Sequence, residues 1–119
     1  MDLYSENILY HYKNPSHTGH LEHVTNTFTE YNSQCGDKIT VELLVEDETI
    51  KDIAFIGSGC AISQASMSML TDEVLGKNIS EVTALDKAYI DDLLHVPISP
   101  GRVKCSLLGL AAVKNALAN

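Results

Sequence analysis

Positive charge is scarce in this chain. Its 119 residues include 8 lysines and arginines against 16 aspartates and glutamates, a formal charge of −8, and Arg102 is the only arginine. That balance excludes a chain-wide phosphate-binding surface, so no nucleic-acid partner is expected. Long apolar runs are missing too: nothing approaches the roughly 20 residues that a membrane helix needs, and no membrane partner is expected. The opening residues Met1 to Glu6 lack the basic and apolar regions of an export signal, which makes the cytoplasm the expected address. Repeats and low-complexity tracts are absent, and hydrophobic residues at 45% with charged ones at 20% are those of an ordinary folding chain. The length supports one hydrophobic core and a single domain over residues 1–119.

An even set of cysteines is also lacking. Cys35, Cys60 and Cys105 cannot close into disulfides among themselves, and a reducing compartment would keep them as thiols. For any one of them, burial as a small apolar side chain is the simpler reading. Their neighbours are small, polar or turn-forming, however: Asn32-Ser33-Gln34-Cys35-Gly36-Asp37, Gly57-Ser58-Gly59-Cys60-Ala61 and Pro100-Gly101-Arg102-Val103-Lys104-Cys105. Core positions rarely have such surroundings.

The hydrophobic pattern places these segments at the ends of elements. Residues 3–13 have helical spacing and end before Pro15; residues 14–23, with Pro, Gly, Ser and three histidines, form a loop. Val24 to Tyr31 alternates as a first strand. Lys38 to Val45 alternates more strictly, with Ile39, Val41, Leu43 and Val45 on one side. Glu46-Asp47-Glu48-Thr49 turns that strand into a third, Ile50 to Ile56, with Ile53 and Phe55 sharing a face. After Cys60 a helix runs to about Gly76, with Ile62, Ala65, Met69 and Leu70 on one side and Gln64, Ser68 and Asp72 on the other. Ser80 caps a short helical segment. Asp86 to Leu94 is helical with Ile90, Leu93 and Leu94 inward, and a last helix opens on Ser99 and Pro100 with Val103, Leu107, Leu110, Val113 and Leu117 as its stripe. Strands first and helices afterwards predict an α+β fold: a small three-stranded antiparallel sheet with helices packed on one face.

On this scheme Cys35 and Asp37 flank Gly36 in a strand turn, Cys60 stands where the third strand hands over to a helix, and Cys105 lies in the opening turns of the last helix. Helix N-termini favour reactive thiolates, and Lys104 and Arg102 add positive charge near Cys105. Thiolates suit zinc, ferrous iron and iron-sulfur clusters, and three sulfurs with the Asp37 carboxylate make a tetrahedral set. Intervals of 24 and 44 residues between the cysteines differ from the short paired loops of zinc fingers, so only tertiary folding brings such ligands together. Alone, Asp37 reads more readily as a turn carboxylate capping neighbouring amides. His17, His20 and His23 in the loop and His95 at a helix end read as ordinary polar residues, not a second metal site.

The segments Cys35-Gly36-Asp37, Gly59-Cys60-Ala61-Ile62-Ser63-Gln64-Ala65-Ser66 and Arg102-Val103-Lys104-Cys105-Ser106-Leu107-Leu108 resemble the U-type iron-sulfur assembly proteins, the family of IscU, SufU and the N-terminal domain of NifU. The leader Tyr10-His11-Tyr12-Lys13-Asn14-Pro15, followed by Gly19, extends the resemblance along essentially the whole chain. It implies that Cys35, Asp37, Cys60 and Cys105 are the ligands of a transient 2Fe-2S cluster, or of zinc. It further implies a cysteine desulfurase as sulfur donor, with Cys35 and Cys105 as candidate persulfide acceptors, and acceptor apoproteins and a chaperone as further partners. The implied role is a non-enzymatic scaffold; the alternative, SufU-type, role is a zinc-dependent sulfur transfer protein that activates the desulfurase. The chain departs from the family in three places. Lys104 stands where the IscU branch typically has histidine, the interval from Cys60 to Cys105 lacks the added segment typical of SufU, and His95-Val96-Pro97-Ile98-Ser99-Pro100 replaces the Leu-Pro-Pro-Val-Lys chaperone-docking run.

Overall fold

The computed structural model describes residues 3–34 and 36–118, apart from the side chains of Leu3 and Tyr4; Cys35 lies outside the described residues. Three strands, β1 (Asn26–Asn32), β2 (Asp37–Glu46) and β3 (Thr49–Ser58), form the expected antiparallel meander in the order β1-β2-β3. The period-two pattern of β2 holds: Ile39, Val41 and Leu43 are fully buried between exposed or half-buried neighbours. Asp37 opens the strand two residues before Ile39, so the same period turns its side chain inward. β1 follows, pairing Phe28 with Val41, Glu30 with Ile39 and Asn32 with Asp37. On β3 a register shift beside Val45 leaves Lys51 without a partner, which brings Ile50 to the core three residues before Ile53 instead of two.

Asp47 and Glu48 connect β2 to β3 as a two-residue turn, at φ 52° and 58°. Two left-handed residues are what the right-handed twist of a hairpin asks for, but they cost a side chain conformational strain that glycine avoids. Glu48→Gly is expected to raise stability by about 0.5–1 kcal/mol, the relief of strain exceeding the added freedom of the unfolded chain. An unchanged or lower urea midpoint would contradict this.

The segment from Asn14 to His23, expected as a loop, covers the outer edge of β3. Gly19 N–H donates to the Phe55 carbonyl (2.9 Å) and Phe55 N–H to that of His17 (3.0 Å), so that two edge groups are satisfied. Two of its three histidines engage carboxylates. His17 Nε2 lies 3.0 Å from Asp72 Oδ1, and His20 Nδ1 lies 3.0 Å from Glu42 Oε2, whose partner oxygen accepts the Leu21 N–H. The His20 hydrogen bond, then that of Leu21, holds the Glu42 carboxyl below its ordinary value of 4.5. A carboxyl depressed in the folded state stabilises it above the unfolded value and stops doing so as pH falls through the folded one. Glu42→Gln is therefore expected to flatten the loss of stability below about pH 4.5 in an acid-denaturation series; an unchanged slope would count against the loop anchor.

Among the described residues there are five helices, α1 (Leu3–Lys13), α2 (Ala61–Val74), α3 (Ile79–Thr83), α4 (Lys87–Leu94) and α5 (Val103–Ala118), the last continuing from a 3-10 turn over Pro100–Arg102; α2 and α5 pack on the sheet. α2 is central, packed against α1 on one side and α5 on the other. Ser68, expected on its wet side, is fully buried: its hydroxyl takes the Ser16 N–H (2.8 Å) and lies 2.7 Å from His11 Nδ1. The stripe of α5 also differs from expectation. Val103, Leu107 and Leu117 are only half-buried, while Cys105, Leu108, Gly109, Ala112 and Ala116 join Leu110 and Val113 inside, because both α2 and the sheet press on this helix. α3 is capped by Asn78, not Ser80, through a capping box in which Asn78 Oδ1 accepts from Ser80 N–H and Glu81 Oε1 from Asn78 N–H. In α4, Ile90 and Leu94 are buried as expected and Leu93 half-buried; His95 ends the helix in the left-handed conformation. No helix among the described residues is long and apolar enough to cross a membrane.

Candidate metal centre

Three elements end at one place. Asp37 opens β2, Cys60 is the residue before the first turn of α2, and Cys105 is the third residue of α5. One donor atom from each, a carboxylate oxygen and two sulfurs, lies within 4.8 Å of both others. Among the described residues no other group of three or more His, Cys, Asp or Glu comes together in this way, the loop histidines included. Three of the four expected ligands thus meet; Cys35, the fourth, lies outside the described residues.

Local sequence explains the geometry. Gly59 has φ +135°, a conformation costly for any side chain, and its missing Cβ is the space the Asp37 carboxylate occupies: an added Cβ would meet Oδ1 at 2.0 Å and Cγ at 2.6 Å. Against Gly59, Asp37 is 1% exposed. Its Oδ1 accepts the Cys60 N–H (2.9 Å), and its Oδ2 faces the Cys60 thiol at 3.5 Å. The amide of Cys60, the residue before α2, thus meets a carboxylate supplied by β2, and the Cys60 side chain makes no capping bond of its own. Ser63 closes the turn, donating to the Cys60 carbonyl (3.1 Å) with its hydroxyl 3.9 Å from the Cys60 sulfur.

Cys105 is completely buried, with the Asn32 side-chain amide donating to its sulfur at 3.6 Å. Cys60 is half-buried, so the centre opens towards solvent on its side. Lys104 and Arg102, expected to add positive charge beside Cys105, are both exposed; Lys104 lines a groove with Tyr31, Asn32 and Gln34. Asp37 forms no ion pair with a lysine, arginine or histidine among the described residues. A buried carboxylate beside two sulfurs is a donor set that a cation can bridge.

The donor set fits one. A tetrahedral zinc with sulfur bonds of about 2.3 Å places its ligand atoms roughly 3.7 Å apart, close to the 3.5 Å between the Cys60 sulfur and Asp37 Oδ2. The remaining separations, at most 4.8 Å, close with a movement of about 1 Å. Binding displaces the thiol proton that now faces Oδ2, so affinity falls with acid. Asp37, Cys60 and Cys105 form a Cys2Asp metal-binding site.

Such a centre on a three-stranded meander is that of a small metal-binding domain. Residues 3–119 match the NifU-like N terminal domain family, and the chain belongs to it. It is 36% identical over 132 residues to the iron-sulfur cluster assembly scaffold protein IscU of Streptococcus pyogenes serotype M1, covering 97% of this chain and 82% of that protein. It is 31% identical over 133 residues to the zinc-dependent sulfurtransferase SufU of Bacillus subtilis strain 168, covering 98% and 90%. The crystal structure of a nitrogen-fixing NifU-like protein (N-terminal) from Brucella abortus superposes with a TM-score of 0.79 at 25% identity, over 98% of this chain and 92% of that one.

Sequence reasoning named Asp37, Cys60 and Cys105, which the structure brings together, but not what holds them. Asn32 was legible only as a polar residue near a turn, and Ser63 only as part of a small-residue run. The alternation of β1 gave a usable signal for Asn32: Asn26, Phe28, Glu30 and Asn32 lie on one row, the row that meets α5.

Proposed function

We propose that this chain is a scaffold for a nascent 2Fe-2S cluster, held by Cys60, Cys105 and Asp37 with Cys35 as the fourth ligand, built with sulfur from a cysteine desulfurase and passed on to acceptor apoproteins. The observation that carries this reading is the mixed donor set: two sulfurs and one carboxylate oxygen converge from three separate elements. Thiolates bind iron strongly, whereas the harder carboxylate is the weakest link, and Asp37 already has an alternative partner in the Cys60 N–H. A cargo site needs such a ligand, which can let go and still be satisfied; a storage site does not. The names of the relatives at 36% and 31% identity support the same chemistry.

Asp37→Ala is expected to give a cluster that forms but transfers several-fold more slowly to an apoprotein acceptor. Transfer at the wild-type rate would remove the role given to this carboxylate. The reading as a whole is tested by anaerobic reconstitution with ferrous iron, cysteine, a cysteine desulfurase and a dithiol reductant, which supplies the electrons that bring persulfide sulfur to sulfide. Iron and acid-labile sulfide should appear on the protein in equal amounts, with visible absorbance of the 2Fe-2S type. Protein that takes up zinc but never sulfide would contradict it.

One observation favours a second reading. Lys104, in place of histidine before the third cysteine, is in keeping with the likeness to a zinc-dependent sulfurtransferase. On that reading zinc, held by the same ligands, is resident and a cysteine accepts persulfide by exchange; zinc-loaded protein should then speed cysteine turnover by the desulfurase. The short interval of 44 residues between Cys60 and Cys105 weighs the other way.

A further inference from the structure

Asn32 is an asparagine in a place where a strand usually presents an apolar residue to its helix. It ends β1 directly opposite Asp37, on the inward row, and is 7% exposed. Every polar part of it is engaged. Its side-chain NH2 donates to Cys105 Sγ at 3.6 Å, its Oδ1 accepts the Gln34 N–H at 3.2 Å, and its backbone carbonyl accepts the Gly36 N–H at 2.8 Å. The orientation of the amide follows from these partners, since reversing it would set its NH2 against the Gln34 N–H, donor against donor.

We infer that Asn32 is a positioning residue of the metal centre, holding the Cys105 sulfur and the backbone of Gln34 and Gly36 in one fixed relation and withdrawing charge from that sulfur when it binds metal. This rests on the proposed site, in which Cys105 is a ligand. The physical basis is the reach of one side chain. Asn32 bonds both the Gln34 N–H and the α5 sulfur. An N–H donor on a coordinated thiolate stabilises the sulfur lone pairs, so it alters the electronic character of the bond as well as its direction. Partners of this kind typically change metal affinity 10- to 100-fold when removed.

The test uses cobalt(II) as probe on the full chain under anaerobic conditions, with Asn32→Ala and Asn32→Asp. Aspartate keeps an oxygen for the Gln34 N–H but has no N–H for the sulfur, which separates support of the turn from the bond to sulfur. Both variants are expected to bind cobalt about 10- to 100-fold more weakly, with the thiolate-to-cobalt charge-transfer band moved to lower energy. The band position reports the sulfur, and a merely structural role would not move it. If wild type shows the band and Asn32→Asp, folded by its thermal transition, keeps both band position and affinity, the inference is overturned while the site stands. Absence of the band in wild type overturns both.

Discussion

Gly59→Ala is expected to cost about 2–4 kcal/mol of stability and to weaken zinc binding by at least 100-fold. The added methyl carbon would stand 2.0 Å from Asp37 Oδ1, 2.6 Å from its Cγ and 2.9 Å from its Cα, at a φ of +135° that alanine adopts only under strain. The Asp37 Cα belongs to a paired strand and cannot give way. The carboxylate must leave its pocket or the Gly59 backbone must turn, and either breaks the bond from the Cys60 N–H. Urea denaturation of the metal-free protein and a zinc titration against a chelator read the two losses separately. Near-wild-type values in both would mean that the pocket does not place the carboxylate.

The second large effect lies one helical turn beyond Cys105. Gly109 on α5 faces Met67 on α2 so closely that a Cβ would stand 2.6 Å from the Met67 sulfur, 3.1 Å from its Cβ and 3.2 Å from its Cα. Gly109→Val is expected to destabilise by about 2–3 kcal/mol, since a branched side chain overpacks a contact in which part of the opposing surface is backbone. Alanine would be a poorer probe because its helix propensity returns about 1 kcal/mol. The consequence reaches the site. α2 presents Cys60 at its start and α5 presents Cys105 near its own, and Ser66 Oγ–H to the Ser106 carbonyl (2.7 Å) ties the helices just inside those ends. Spreading α2 from α5 should therefore weaken metal binding together with stability. A stable Gly109→Val protein, or one destabilised with metal affinity intact, would argue against this coupling.

Where side-chain period alone decides, the fold was legible. The alternation through Ile39, Val41 and Leu43 defined β2, and the acidic turn defined the hairpin. Where small or polar residues are buried, hydropathy pointed the wrong way. Ser68 read as a wet face because a hydroxyl carries no apolar weight, yet α1 and the edge loop bury it and satisfy it. Gly109, Ala112 and Ala116 fall outside the apolar stripe expected for α5, yet all three are buried, and the small size of Gly109 admits the neighbouring helix. Ser80 and Asn78 are both good caps, and only the reach of Glu81 back to the Asn78 N–H decides between them. At the site, residue types and family resemblance named the ligands, but long intervals hide proximity. Nothing local says that a strand start, a helix cap and the first turn of another helix share one corner.

The account rests on Asp37, Cys60 and Cys105 holding one metal ion in common. X-ray absorption at the zinc edge of the anaerobically loaded protein tests this most directly. The account predicts one zinc per chain with at least two sulfur neighbours at about 2.3 Å and an oxygen at roughly 2.0–2.2 Å. A shell of nitrogen and oxygen alone, with no sulfur, would contradict it.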